Sequence, residues 1–484
     1  MLQAPVAAPQ PAPPAATPAP AAAPAATPAP AVAPAATPAP AVTTPASTSA
    51  PPAVAATPPE LPAYSPHGPS DAKTPAVAPA ESTLRTAKWE ARSDIRESHY
   101  TIGKGLTLAT KDGRFSLNLR GRLQFRYDAN RYHDDDPATA PADHALQIRR
   151  LRLILQGNVF SPHVKYHLQF GFAPLDMYND LPADAGIRRS PLRDVRVEFD
   201  RLRDFTVWIG QRKVSFSRQR MLSSSAMNMV DRSITNAEFN LDRDIGVQAM
   251  SKDLGGLGHR LSYYVGVFMG EGRNAFIPSD FGLMYVGRVE LAPFGKFDDH
   301  SEGDLGRTRT PGLSIGGAYS YQDRAHAARG VVGDYPLDLG TTDFHHVTTD
   351  ILFKWKGLSL VTAFHLRKGF NRINGGALDA DGNPIATVAA RSGIGWFGQL
   401  GYVVPKLPLE VVGRYGLIRN PYHQASSMIS SDEAGGGLNW YIVGHDLKVQ
   451  LDYFRLWDET KGTTPLDAAR HGTDRVRVQI QVYF

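Results

Sequence analysis

From Tyr100 to the C-terminus, apolar and polar residues alternate with a period of two, in short segments separated by Gly-, Asp- and Pro-rich breaks. Residues Arg114–Asn130 show the pattern most fully. Phe115, Leu117, Leu119, Gly121, Leu123, Phe125 and Tyr127 fall on one face, and Ser116, Asn118, Arg120, Arg122, Gln124 and Arg126 on the other. Side chains of an extended chain point alternately to opposite faces, so the segment reads as a strand with one apolar and one strongly polar side. The same alternation recurs at Leu151–Phe160, Val164–Phe172, Asp194–Phe199, Phe205–Arg212, Ile245–Met250, Leu261–Phe268 and Leu283–Leu291. It continues at Leu313–Tyr321, Val347–Trp355, Leu358–Arg367, Trp396–Val403, Leu409–Leu417, Leu438–Val443, Leu447–Trp457 and Thr473–Phe484. The pattern predicts about 16 strands.

The breaks alternate in length. Ser161–Pro162, Asp200–Asp204 and Gly444–Asp446 are short, whereas those near 128–144, 174–191, 213–241, 369–391 and 457–472 are long. If the first strand runs outward, every one of these long breaks falls at the same end, as expected of a transmembrane barrel with short periplasmic turns and long external loops. The segment 293–311 is the exception, long but at the periplasmic end. No stretch approaches the run of about 18 apolar residues that a spanning helix needs. The last strand alternates Val476, Val478, Ile480 and Val482 with Arg477, Gln479, Gln481 and Tyr483, and closes on Phe484. Such an ending is similar to the signal read by barrel assembly machinery. The expected fold is all-β: a transmembrane antiparallel β-barrel with a disordered Pro/Ala-rich N-terminal tail.

That tail changes the domain picture. Residues 1–80 are almost wholly Ala, Pro, Thr and Ser, and positions 11–20, 21–30 and 31–40 each end in Ala-Ala-Thr-Pro-Ala-Pro. Proline at this density removes amide donors, and the segment has too little apolar bulk to bury, so it reads as a polyproline-like spacer or a disordered tail. The expected organisation is 1–80 tail, 81–112 connecting segment with a periplasmic hairpin, and 113–484 barrel. Met1–Gln10 has no basic stretch ahead of an apolar core, so an export signal is expected upstream or already removed. The expected location is the outer membrane of a Gram-negative envelope, with the tail periplasmic. The absence of cysteine fits an oxidising compartment without requiring one.

Charge placement suggests what the barrel does. Lipid-facing Lys or Arg at mid-depth costs about 2–4 kcal/mol, so the polar face points into the lumen. In phase with that face are Arg120, Arg122, Arg126, Arg150, Arg152, Lys165, Arg196, Arg212, Arg288, Lys354, Arg367, Arg414, Lys448, Arg475 and Arg477. The acids in phase are Asp194, Glu198, Asp244, Glu290, Asp350, Glu410 and Asp452, fewer than half as many. A pore with excess fixed positive charge concentrates anions, and the planar arginine fork suits phosphate. Some of these arginines would pair with acids and brace the wall instead. Arg149 and Arg455 break phase and are expected to face lipid near the external strand ends. In the break after the fifth strand, Lys213, Arg218, Arg220 and Arg232 surround Ser223, Ser224 and Ser225. Folded inward, this loop would set a constriction; left outside, it is an ordinary solvated loop.

Other classes find less support. The histidines His163, His167, His345, His346 and His365 sit in no recognisable nucleophile context, and no metal, cofactor or nucleic-acid site is expected. His133-Asp134-Asp135-Asp136 reads as a solvated loop tip. A general diffusion porin or a structural envelope anchor are the alternatives, with an outer-membrane enzyme behind them.

Several segments resemble the phosphate-selective porin O and P family. Gly103–Gln124 is similar to its opening hairpin and first strand, and Ile148–Gly157, with Arg-Arg-Leu-Arg, to its second. Gly210–Phe216, Met229–Ile234, Arg243–Val247, Gly266–Gly270 and Gly437–Tyr441 match further points, so the likeness spans about 100–484. The resemblance implies a trimeric, sixteen-stranded, anion-selective channel in which a lysine and serines on an inward loop help bind phosphate, with Lys213, Arg220 and Ser223–Ser225 as candidates here. Gln219, in place of an acid, and Asp231, in place of glutamate before Arg232, depart from the pattern. The implied partners are small anions such as phosphate, outer-membrane lipid and lipopolysaccharide, and barrel assembly machinery at the Phe484 end.

Overall fold

The computed structural model describes residues 95–484 apart from 102, 134–141, 178–189, 276–281, 462–467 and 469. The Pro/Ala-rich tail, part of the segment joining it to the barrel and the Asp134–Asp136 run lie outside the described residues. The strands are β1 (Ile95–Thr101), β2 (Gly105–Thr110), β3 (Ser116–Tyr132), β4 (Ala142–Val159), β5 (Ser161–Gly171) and β6 (Leu192–Leu202). Next come β7 (Phe205–Lys213), β8 (Arg243–Ser251), β9 (Leu261–Phe268), β10 (Met284–Leu291), β11 (Gly312–Ala325) and β12 (Thr341–Trp355). The last are β13 (Leu358–Ile373), β14 (Gly393–Val403), β15 (Leu409–Arg419), β16 (Ser431–Val443), β17 (Leu447–Asp458) and β18 (Thr473–Tyr483). Short helices are α1 (Pro174–Met177), α2 (Arg218–Met221) and α3 (Ile234–Phe239).

From β3 onward each strand pairs antiparallel with the next, and β18 pairs back with β3, so 16 strands close into a barrel without a free edge. All sixteen strands expected from the alternation are present. Several run further at the external end than the pattern indicated: β12 starts at Thr341 and β16 at Ser431. Beyond the lipid neither face must be apolar, so the period-two signal fades while the hydrogen-bonded ladder continues. Closure is completed by the C-terminus, where Gly121 and Phe484 exchange backbone hydrogen bonds of 2.5 and 2.9 Å. The hairpin β1–β2 stands outside the closed ring and joins it through Leu106–Ala109 of β2, paired with Leu119–Ser116 of β3.

The molecule is apolar outside and charged inside, the reverse of a water-soluble domain. Phe125, Ile209, Val265, Val289, Leu400, Val411 and Ile480 are exposed, with Tyr285, Trp355, Trp396, Trp440 and Tyr453 among the outward aromatics. Arg288, Lys354, Asp350, Arg367, Glu410, Lys448 and Asp452 are buried.

One expectation about phase is corrected. Arg149 does not face lipid. The β3–β4 register shifts between Gln124 and Phe125, which pair with Arg150 and Ile148, so Arg149 is the extra residue of a β-bulge. Its guanidinium lies 3.6 Å from Asp231 in the lumen. Arg193 is turned inward by the same device, a shift between Gln169 and Phe170, and pairs with Asp176 at 3.4 Å. Arg455 does lie near the external end of its strand, held by Asp474 at 3.1 Å.

Candidate functional site

Residues 214–242, between β7 and β8, fold across the bore. Their feet are apolar: Val214, Phe216 and Leu241 are buried against Trp208, Phe268, Met284 and Val331, the last from the external segment after β11. Between the feet, polar residues fasten the loop to much of the wall. Arg126 on β3 donates to Asp231 and to Val230 O, both at 3.0 Å, and Lys448 on β17 donates to Met227 O at 2.6 Å. Asp452 accepts from Val230 N at 3.0 Å, Asn439 donates to Asn228 O at 2.7 Å, and Arg218 reaches Asp350 on β12 at 2.6 Å. Ser233 caps α3 by accepting from Asn236 N at 3.1 Å. The fastenings run from β10, where Arg288 donates to Phe216 O at 2.7 Å, round to β3 and on to β4, where Arg149 and Arg150 lie 3.6 Å from Asp231.

The exceptional periplasmic segment, residues 292–311, also turns inward and supports this loop from below. Glu302 is fully buried. Its carboxylate accepts from Gln219 Nε2 at 3.2 Å, Asn228 N at 3.1 Å and Gln399 Nε2 at 3.0 Å, and its own N–H donates to Ala226 O at 3.0 Å. A long periplasmic break, unexplained by barrel topology alone, is therefore the underside of the constriction.

The loop separates two kinds of space. On its external side lies a cavity of about 330 Å³ lined by nine basic side chains, among them Arg150, Arg152, Lys213, Arg220 and Arg232, and by three acids, Asp176, Asp242 and Glu271. A second external cavity of about 310 Å³ shares Arg149, Arg150, Arg220 and Arg232 and adds Arg414, Arg475 and Arg477 against Asp231 and Glu433. The periplasmic side holds a cavity of about 590 Å³ with five basic residues, including Arg196, Arg212 and Arg218, and five acids, including Glu198 and Glu290.

Part of the external charge is compensated. Arg152 donates to Asp176 at 2.7 and 2.8 Å, Arg220 pairs with Asp242, and Arg243 with Asp194 at 3.0 Å. Lys213 and Arg232 are held differently. Lys213 Nζ donates to Leu222 O at 2.8 Å, while Arg232 donates to Gln219 O at 2.7 Å and Leu222 O at 2.9 Å. Among the described residues neither has a carboxylate within ion-pair distance. Carbonyls at the end of α2 thus orient both basic groups without pairing either with a carboxylate. Burial, with the Arg220 charge beside it, pulls the Arg232 guanidinium down to about 9. It stays protonated near neutral pH, its charge incompletely matched, a condition that an anion relieves. Burial would raise the Asp231 carboxyl, but Arg126, Arg149 and Arg150 outweigh it and hold the group well below the usual carboxylate range.

The serine triplet sits at the divide. Ser223 lines the periplasmic cavity and Ser224 the external one. Ser223 and Ser225 hydroxyls lie 2.7 Å apart, and Arg122 Nη1 donates to Ser223 Oγ at 3.2 Å. Ser224 is buried, and its hydroxyl has no hydrogen-bond partner among the described residues.

Of the residues marked from sequence, Arg150, Arg152, Lys213, Arg220, Ser224 and Arg232 come together in the external cavity, whereas Ser223 lines the periplasmic one and is bonded to Arg122 and Ser225. Arg212 lies on the periplasmic side with its guanidinium 4.8 Å from the Trp208 ring centre. Arg126 and Arg218 fasten the loop. Arg120 lies apart, donating to Asn118 at 2.5 Å near the β1–β2 hairpin. The strand-only charge tally needs correction, because the loops supply Asp176, Asp231, Glu238, Asp242 and Asp298 as partners that period-two phasing cannot reveal. Arg149, Arg193 and Arg243 were missed for a similar reason. Bulge residues have no phase signal, and Arg243 stands at the very start of its strand. Lys213 faces the bore because Gly210, with φ 129°, interrupts the alternation of β7, and a Cβ there would lie 2.2 Å from Val195 O.

The histidines do not assemble a nucleophile site. His163 pairs with Asp200 at 3.1 Å at a periplasmic turn, and His345 meets Tyr319 at 2.7 Å on the outer wall. His346 and His365 are buried without hydrogen-bond partners among the described residues.

No curated protein matches the chain in sequence. Among solved structures, an anion-selective porin from Comamonas acidovorans is similar at 13% identity and a TM-score of 0.48, covering 76% of this chain and 99% of that one. The outer-membrane channel DcaP of Acinetobacter baumannii gives 13% and 0.47, covering 78% and 99%. OmpT of Vibrio cholerae gives 10% and 0.43, covering 76% and 99%. Residues 117–295 match the sequence model of the phosphate-selective porin O and P family, a span that contains the inward loop and the lining of the external cavity apart from Ala327, Val331, Val332, Gly333 and Tyr335. This chain is therefore a closed sixteen-stranded antiparallel β-barrel that is similar to the phosphate-selective porin O and P family over residues 117–295.

Proposed function

We propose that the protein forms an anion-selective channel whose preferred solutes are phosphate and related oxyanions. The observation that carries this reading is the external cavity, where nine basic side chains face three acids and where Lys213 and Arg232 are held by carbonyls rather than carboxylates. A fully hydrated anion entering there exchanges water for guanidinium and ammonium donors and for the idle Ser224 hydroxyl. Phosphate suits such a set because it presents several acceptor oxygens at once, whereas chloride uses only its charge. The family match supports the same solute class. In this reading the working unit is a homotrimer set in outer-membrane lipid and lipopolysaccharide, delivered by assembly machinery that engages the Phe484 end. In the same reading the Pro/Ala-rich tail is periplasmic.

The test is a planar bilayer under a potassium chloride gradient, read as zero-current potential, followed by phosphate titration. Anion selectivity with chloride current blocked by low phosphate supports the proposal. Anion selectivity without block leaves a general anion porin, and cation selectivity refutes the reading of the lumen.

A further inference from the structure

We infer that the channel takes up oxyanions asymmetrically, with a capture site reached from the external mouth and no matching site on the periplasmic side of the same constriction. This inference rests on the anion-channel reading and adds a direction to it.

The asymmetry lies in the fold. The inward loop divides the free space of the bore, and the charges on its two sides differ. The external cavity has six more basic than acidic side chains, the periplasmic one equal numbers of each. A further periplasmic cavity, against the inward turn 292–311, has two basic residues, Lys252 and Lys296, and three acids, Glu290, Asp298 and Asp299. A second observation marks the external side as the one built for a ligand. Ser224, 5% exposed, lines that cavity, and its hydroxyl bonds to nothing among the described residues. Ser223, next to it on the periplasmic face, is already engaged with Ser225 and Arg122.

The physical consequence concerns rates. A site open to both sides has one equilibrium affinity, whichever side the ligand comes from. For a permeant blocker added to one side only, however, half-block depends on the rate of capture from that side. Charge of one sign lining a low-dielectric mouth raises capture by about 10- to 1,000-fold, and added salt removes the gain. The balanced periplasmic cavities provide no such steering. Phosphate added externally should therefore block at a concentration at least about tenfold lower than phosphate added from the periplasmic side, the lower end of that range.

The experiment uses the full-length protein in single-channel recordings of chloride current. The chain has no cysteine, so a Val332→Cys variant, altered in the wall of the external cavity, reports orientation. A bulky, impermeant thiol reagent changes the current only from the chamber facing that wall. Phosphate is then titrated from each chamber in turn, at low and at high potassium chloride. The expected result is the tenfold or greater difference, shrinking at high salt. A second variant, Glu198→Gln with Asp299→Asn, gives the periplasmic side a net positive charge and should narrow the difference by strengthening block from that side. Equal half-blocking concentrations from the two sides in the unaltered pore overturn the asymmetry while leaving the anion-channel reading intact. Cation selectivity, or no block from either side, overturns both.

Discussion

Replacing Glu302 with alanine should release the constriction loop without unfolding the barrel. The carboxylate is fully buried and takes hydrogen bonds from Gln219, Asn228 N and Gln399 at 3.0–3.2 Å. Glu302→Ala leaves three buried donors without their acceptor, at about 1–3 kcal/mol each, and water entering the gap recovers part of that. A net loss of about 3 kcal/mol raises the undocked population of the loop roughly 100-fold. The strands of the ring keep every ladder bond, since residues 292–311 lie outside them. Three readouts follow: open-channel noise should rise, mean conductance should increase, and trypsin should cut at Arg218 or Arg220, which are shielded in the parent. Heat-modifiable migration on gels should be unchanged. Quiet currents and full trypsin resistance in Glu302→Ala would refute the claim that the periplasmic turn holds the loop in place.

Three further outcomes are expected. Lys213→Gln and Arg232→Gln should each raise the half-blocking phosphate concentration about tenfold, equivalent to about 1.4 kcal/mol, while Arg120→Gln changes it little; bilayer titration checks this. Acidification from neutral to about pH 5 should leave anion selectivity intact. Despite burial, arginines hold the carboxyls of Asp231 and Asp242 well below the usual range, so their contribution to stability persists above the unfolded carboxylate pKa and is lost only as pH falls through the lower folded value, which reversal potentials at stepped pH would show. Gly121→Leu should impair barrel closure, because a Cβ at Gly121 would lie 2.4 Å from the Phe484 ring across the final seam; the fraction of heat-modifiable barrel after refolding measures the loss.

The sequence by itself determined the barrel. Each strand must present an apolar face to lipid and a polar face to water, and that local requirement is written residue by residue, as in Phe125 and Tyr127 against Gln124 and Arg126. It also determined the surplus of arginine in the lumen and placed Lys213, Arg220, Arg232 and the serines in one loop. Only the tertiary structure decided which of those charges remain uncompensated. Asp231 and Asp176 meet Arg126 and Arg152 from loops whose path has no period, and Arg149 and Arg193 enter the lumen through bulges that local alternation misassigns. The direction of the site was hidden for the same reason. It depends on which side of one folded loop each side chain lies, a long-range relation between segments that no local pattern encodes.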